Sequence, residues 1–321
     1  MPESRKDTAQ TVRPRDSTRG DELIRTITES GAIAVKALMA NGIVAEAVSL
    51  RPHTATAGNA LGRAMMGALL IAVGSAADDA DETNIESVQL QIRGDGPLGS
   101  VTAIADSRAR VRGCVQRPAT ELWREDGSPN IARAIGLGPL NVVRHRPRWR
   151  SPYTGTVPLV SGEIAGDLTL YLTESEQTPS AMGLGVSFGA NMADVAAAGF
   201  LVQALPGAMD ADVEQMEKNV ALLPGLASLL DQSIDVHGIL DLLVEGLGSR
   251  ERHTVRPEFF CPCSRDRAAR TLSLLDRAEL QELVDSSASQ QVICDFCGRD
   301  YQITSDEIAS LFASEGSTRS R

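Results

Sequence analysis

The sequence predicts an α+β protein in three parts: an N-terminal β-sheet domain with packed helices, a helical linker, and a small C-terminal domain built around cysteines. Three observations carry this reading. Period-two alternation and helical spacing are mixed through the first two thirds of the chain. An acidic stretch without aromatic residues follows, and two close cysteine pairs then stand near the C-terminus. The 321 residues, 42% hydrophobic and 23% charged, are enough for about two or three domains with real cores.

Residues 1–20 carry charges throughout and no apolar core, which predicts a disordered arm and no secretory leader. The core domain is then expected over 21–205. Asp21–Ala45 and Ala57–Ala76 read as helices, with Ala, Leu, Ile and Met recurring at spacings of three and four. Ser87–Arg93 sets Val88, Leu90 and Ile92 against Gln89, Gln91 and Arg93, the alternation of a half-buried strand, and Gly94-Asp95-Gly96-Pro97 turns it. Further strands are expected at Ser100–Ala105 and Ala109–Val115, and at Asp167–Thr173, where Leu168, Leu170 and Leu172 alternate.

The linker is expected over 206–255. Met209, Val213, Met216, Val220 and Leu223 recur at helical spacing, and nine acidic residues stand against three basic ones. Pro224, Gly225, Gly238, Gly246 and Gly248 cut the stretch into helices too short to be stable alone, so it must lean on a neighbour.

The last folded part is expected over 256–313, with a short disordered tail at 314–321. It holds Cys261-Pro262-Cys263 and Cys294-Asp295-Phe296-Cys297. Each close pair supplies two sulfurs from one turn, and folding the intervening chain back brings four together, which is what a tetrahedral zinc site needs. Cys261, Cys263, Cys294 and Cys297 are therefore the candidate ligands of one zinc ion, in a module too small to build much core of its own. A zinc-held thiolate stays deprotonated and reactive toward oxidants, so the metal could be structural only or could guard a redox switch. Arg256, Arg265 and Arg267 flank the first pair and could favour thiolates. Cys114, alone in a strand, reads as a small buried apolar group.

These strings resemble the redox-regulated molecular chaperones of the heat-shock protein 33 family over nearly the whole chain beyond the arm. The carriers are residues 259–265 and 293–301 around the cysteines, 161–186, 90–101 with 111–115, and 200–208. Cys114 is a departure, since the family pattern more often has an aromatic residue after Arg-Gly. The resemblance implies an ATP-independent holdase, inactive while reduced and zinc-bound. Oxidation would form disulfides Cys261–Cys263 and Cys294–Cys297, expel zinc, unfold the module and linker, and expose a surface for unfolding client proteins. It also implies a homodimer on activation. A charged start, short apolar runs and clustered thiols lead to the expectation of a cytoplasmic protein, and the lack of a catalytic motif to that of a protein that is not an enzyme.

Other functions are weighed against this. A formal net charge of −11 opposes non-specific nucleic-acid binding. The best local exception is Arg144, Arg146, Arg148 and Arg150 with Trp149 among them, the basis of an alternative reading as a zinc-ribbon module for nucleic acid or a protein partner. Gly94–Gly99 lacks the Lys-Ser/Thr of a nucleotide loop, so it reads as a turn. The longest apolar run, Ala68–Val73, is far shorter than the roughly 20 residues that span a bilayer.

Overall fold

The computed structural model describes residues 20–74, 85–189, 192, 194–226, 234–272, 274–286 and 288–315. The expected arm, apart from Gly20, and the tail beyond Glu315 lie outside them. Two antiparallel sheets enclose one helix. The first runs β10(His253–Val255), β1(Glu22–Ile27), β2(Ile33–Met39), β9(Val195–Ala204), β8(Ser180–Phe188). The second runs β11(Glu258–Phe259), β5(Arg110–Val115), β4(Ser100–Asp106), β3(Ser87–Arg93), β6(Pro139–His145), β7(Tyr153–Pro158), with β11 alone parallel to its neighbour.

Between the sheets lies α2(Ala55–Ala72), begun by Thr54, whose hydroxyl accepts from the Ala57 amide. Every residue from Thr56 to Ala72 except Arg63 is buried. A helix apolar all round is stable only when covered all round. Small residues let the sheets close on it: a Cβ on Gly113 of β5 would meet Leu61 Cδ1 at 2.7 Å, and one on Gly67 would crowd Leu168. The helix expected at Ala57–Ala76 is thus found, starting two residues earlier and ending at Ala72, with residues 75 and 76 outside the described ones.

Two expectations are corrected. Asp21–Ala45 is a hairpin, β1 and β2, followed by α1(Asn41–Leu50), and not one helix. The first sheet is covered on both faces: Leu23 and Leu38 face α2, while Ile24, Ile33, Val35 and Ala37 join a second core. Burial on both faces removes the polar alternation that marks a strand, leaving apolar residues at chance helical spacings. Gly31, at φ +80°, makes the reversal. Asp167–Thr173 is likewise helix, within α4(Ala165–Glu174), because the buried residues are Asp167, Leu168, Tyr171 and Leu172. That is helical spacing, and Leu170 is only partly covered.

The strands expected at Ser87–Arg93, Ser100–Ala105 and Ala109–Val115 correspond to β3, β4 and β5. The turn after β3 is locked onto the end of α3(Ile131–Ile135) and the loop that follows it. Gly96 N donates to Ile135 O, Leu98 N to Ala134 O, and Asp95 N to Leu137 O. These amides are consumed within the fold and cradle no phosphate.

The second core covers the outer face of the first sheet with α5(Asp210–Leu222) and α6(Val236–Leu243). α6 is firmly seated through Val236, Ile239, Leu240 and Leu243, whereas α5 buries only Met216 and Asn219. A cleft of about 280 Å³, lined by Ile33, Val202, Val213, Met216 and Val220, remains between α5 and the sheet. The C-terminal module holds α7(Arg265–Leu272), α8(Arg277–Asp285), hairpin β12(Gln290–Ile293)–β13(Asp300–Ile303) and α9(Ser305–Glu315). No helix among the described residues is long and apolar enough to cross a membrane.

One cation is sealed inside. Lys36 of β2 is buried beneath the end of α2, where its ammonium donates to Leu70 O at 2.9 Å and Val73 O at 2.6 Å. These are carbonyls at the C-terminal end of the helix, where a cation is favoured, and the ammonium caps them. Burial pushes its pKa down to about 7, and the charges of Arg144 and Arg25 act in the same direction.

Two outcomes are expected. Gly94→Ala should lower stability by about 2–3 kcal/mol in urea unfolding, because the new Cβ would collide with Ile135 O. Between about pH 7 and the ordinary lysine value, the unfolded chain keeps a proton that folded Lys36 has lost, so stability should rise with pH in that window. Relative to Lys36→Met, the wild type should gain up to about 1.4 kcal/mol per pH unit from pH 7 to 10. A difference that does not change with pH would contradict this.

Candidate metal centre

The chain reaches the first cysteine pair along a stitched path. His253–Val255 adds a strand to the first sheet beside β1, and Glu258–Phe259 adds one to the second beside β5. Phe260 N then donates to Val111 O at 2.9 Å, placing Cys261 one residue beyond a fixed backbone bond. Pro262 separates the two sulfurs, and Ser264 accepts the Arg267 amide at the start of α7. The second pair occupies the turn joining β12 and β13. Cys294 N donates to Arg299 O and Gly298 N to Cys294 O, and Gly298 at φ +69° makes the reversal.

Four sulfurs converge there. Those of Cys261, Cys263, Cys294 and Cys297 all lie within 4.8 Å of one another, with Cys261 Sγ 3.7 Å from Cys294 Sγ and Cys263 Sγ 3.3 Å from Cys297 Sγ. Thiolates at about 2.3 Å from one tetrahedral zinc lie roughly 3.8 Å apart, so the spacing and the donor set both fit that ion. All four are half-buried.

The electrostatics of the cluster are uneven. Burial and the neighbouring sulfurs hold Cys261 and Cys297 above the ordinary thiol value. Cys263 is held below it: burial opposes ionisation but is outweighed by hydrogen bonds, foremost from the Tyr301 hydroxyl at 3.1 Å. Four crowded thiols do not ionise together without a compensating positive charge, and a divalent cation supplies it.

Two of the three arginines expected to favour thiolates have other roles, and the third, Arg256, is exposed. Arg265 is engaged by Glu307 at 2.6 and 2.8 Å, tying α7 to α9, and Arg267 donates to Pro262 O at 3.0 Å. Tyr301, missed in the sequence, is the polar partner of a candidate ligand. Its signal was its position on β13, four residues after Cys297, where a hairpin turns it back toward the turn. Cys114, expected to be buried, is half-buried on β5. Its thiol is pushed up to about 11 by burial first and then by the carboxylate of Asp295.

The residues behind the other readings are dispersed into structure. Arg144 pairs with Glu176 at 2.7 Å, and Arg146 with Glu86 at 3.0 Å while stacking on Trp149, so half of the basic cluster is neutralised internally.

Comparison with known proteins agrees with this architecture. The family model described as "Hsp33 protein" matches residues 21–304. A 33 kDa chaperonin of Limosilactobacillus fermentum is 34% identical over 297 residues, covering 92% of this chain and 99% of that one. One from Geobacter sulfurreducens is 36% identical over 291 residues, covering 91% and 94%. The crystal structure of a 33 kDa chaperonin (heat shock protein 33 homolog) from Thermotoga maritima superposes with a TM-score of 0.82 at 31% identity, over 92% of this chain and 99% of that one. With a family match across nearly its whole length, a shared fold, and four cysteines gathered at its C-terminal end, the chain belongs to the Hsp33 chaperone family.

Proposed function

We propose that this chaperone is an ATP-independent holdase switched by oxidation, with Cys261, Cys263, Cys294 and Cys297 as zinc ligands and redox sensors. The observation that carries the proposal is the convergence of the four sulfurs in a small module, where the buried apolar residues among those described are Ala268, Ala269, Leu280, Ile303 and Ile308. Zinc, when bound, keeps all four sulfurs as thiolates and contributes folding free energy on the order of 10 kcal/mol.

Each close pair can be oxidised by one peroxide. Two thiolates and two protons reduce it to two waters, and a sulfur–sulfur bond forms between Cys261 and Cys263, or between Cys294 and Cys297. Sulfurs tied in disulfides no longer serve as thiolate ligands, and the module loses the energy that closed it. The pairing decides whether the module then opens. A disulfide within a pair closes only one turn, whereas Cys261–Cys294 or Cys263–Cys297 would close a loop of more than thirty residues and staple the module shut, worth several kcal/mol.

Opening then spreads to the linker, assigned to about 206–255 and followed by the module at 256–313. The linker is bound to the module through the 253–260 segment stitched to both sheets. Its helix α5 is loosely seated, so it is the part that would lift first, baring Ile33, Ala181 and Val202 of the first sheet. Such a face is aliphatic and suits unfolded clients without chemical specificity. A reducing cytoplasm keeps the thiols available, and the activated form is assigned as a homodimer.

The test tracks zinc release, disulfides and aggregation of a thermally unfolded client on one sample, before and after peroxide with mild heat. Zinc should leave near one equivalent as holding activity appears, with Cys261–Cys263 and Cys294–Cys297 identified by mass spectrometry, and reductant should reverse all three. Activity equal in the reduced protein, or disulfides crossing between the pairs, would overturn the proposal.

A further inference from the structure

We infer that Arg110 and Arg112 of β5 form a rail that sets the spacing of the two cysteine pairs, so that the N-terminal sheet helps determine how tightly the four sulfurs hold their metal. The inference rests on the zinc reading of the four cysteines and adds to it residues outside the module. Alternate residues of β5 point the same way, and Arg110 and Arg112 share the partly exposed face opposite buried Val111, Gly113 and Val115. Arg110 stacks its guanidinium 4.7 Å from the ring centre of Phe260, the residue before Cys261. Arg112 stacks 4.6 Å from the ring of Phe296, which lies between Cys294 and Cys297. One strand thus seats an aromatic residue from each pair.

The rail is rigid where it needs to be. Residues i and i+2 of a strand are separated by roughly 6.6 Å, a spacing fixed by the backbone and by the ladder to β4. Arg110 is itself held by Asp106 at 2.7 Å, and β11 runs in register with Arg110 and Val111. The second pair has a further anchor off the strand. Arg51 donates to Asp295 O at 2.8 Å, and a Cβ on Gly298 would meet Leu50 O at 2.8 Å, so this turn lies directly against the end of α1. With its own core of only a few residues, the module gains from any contact that limits how far the pairs separate. Arg112 and Arg110 act through the phenylalanines on the sulfurs, as positioning residues.

The test measures zinc affinity of the reduced full-length protein by competition with a chromogenic chelator, for wild type, Arg112→Ala, Phe296→Leu, the double variant and Arg112→Lys. Removing either partner of the stack should weaken zinc binding about two- to five-fold. The double variant should be no weaker than the worse single one, since both remove the same contact. Arg112→Lys, which keeps a cation over the ring, should recover most of the affinity. Hydrogen exchange of the β3–β4 ladder should match the wild type in all variants, as a check that the sheet is intact. Wild-type affinity in Arg112→Ala, or single effects that multiply in the double variant, would overturn the rail. A wild type that takes up no zinc would overturn the metal reading and the rail with it.

Discussion

The tightest constraint in the C-terminal module is the closeness of four sulfur atoms, all within 4.8 Å of one another. Bare thiolates at that distance repel strongly, and burial penalises each charge further. Burial and the neighbouring sulfurs hold Cys261 and Cys297 above the ordinary thiol value, while hydrogen bonds led by Tyr301 hold Cys263 below it, so the four sulfurs resist ionising together. A bound divalent ion removes the conflict and makes the sulfurs the strongest link in the module. The same chemistry makes them its weakest point toward oxidants, since the metal keeps them as nucleophiles.

The N-terminal domain is built on the opposite logic. α2 is buried along almost its whole length between two sheets, and its stability comes from close packing of small and aliphatic residues. A rigid body of this kind can lose a neighbouring module and remain folded. Between the two in the chain lies α5, which touches the sheet through few buried residues and over a cleft. The linker is therefore uneven, with α6 firmly seated and α5 only loosely so.

The gathering of the four cysteines was legible because its signal is chemical: two close pairs of thiols invite one shared partner. The half-buried strands β3, β4 and β5 were legible because one face of each meets solvent or polar groups and preserves alternation. β1 and β2 were not, because two covered faces erase the pattern, and the residue that does break it, Lys36, is buried against carbonyls. The leucines of 168–172 alternate by coincidence, and only the burial of Tyr171 shows the helical face. The contacts of Arg51, Arg110 and Arg112 with the cysteine turns join residues roughly 150 to 240 positions apart, which no local pattern encodes.

The most direct test of the metal as keystone is amide hydrogen exchange on the reduced full-length protein, zinc-loaded and after chelation. The account predicts that removing zinc abolishes protection at Gly298, Cys294 and the β12–β13 ladder while the β3, β4 and β6 amides exchange as before. Unchanged protection of the β12–β13 ladder without zinc would contradict it, and would mean that the module's small core folds it unaided.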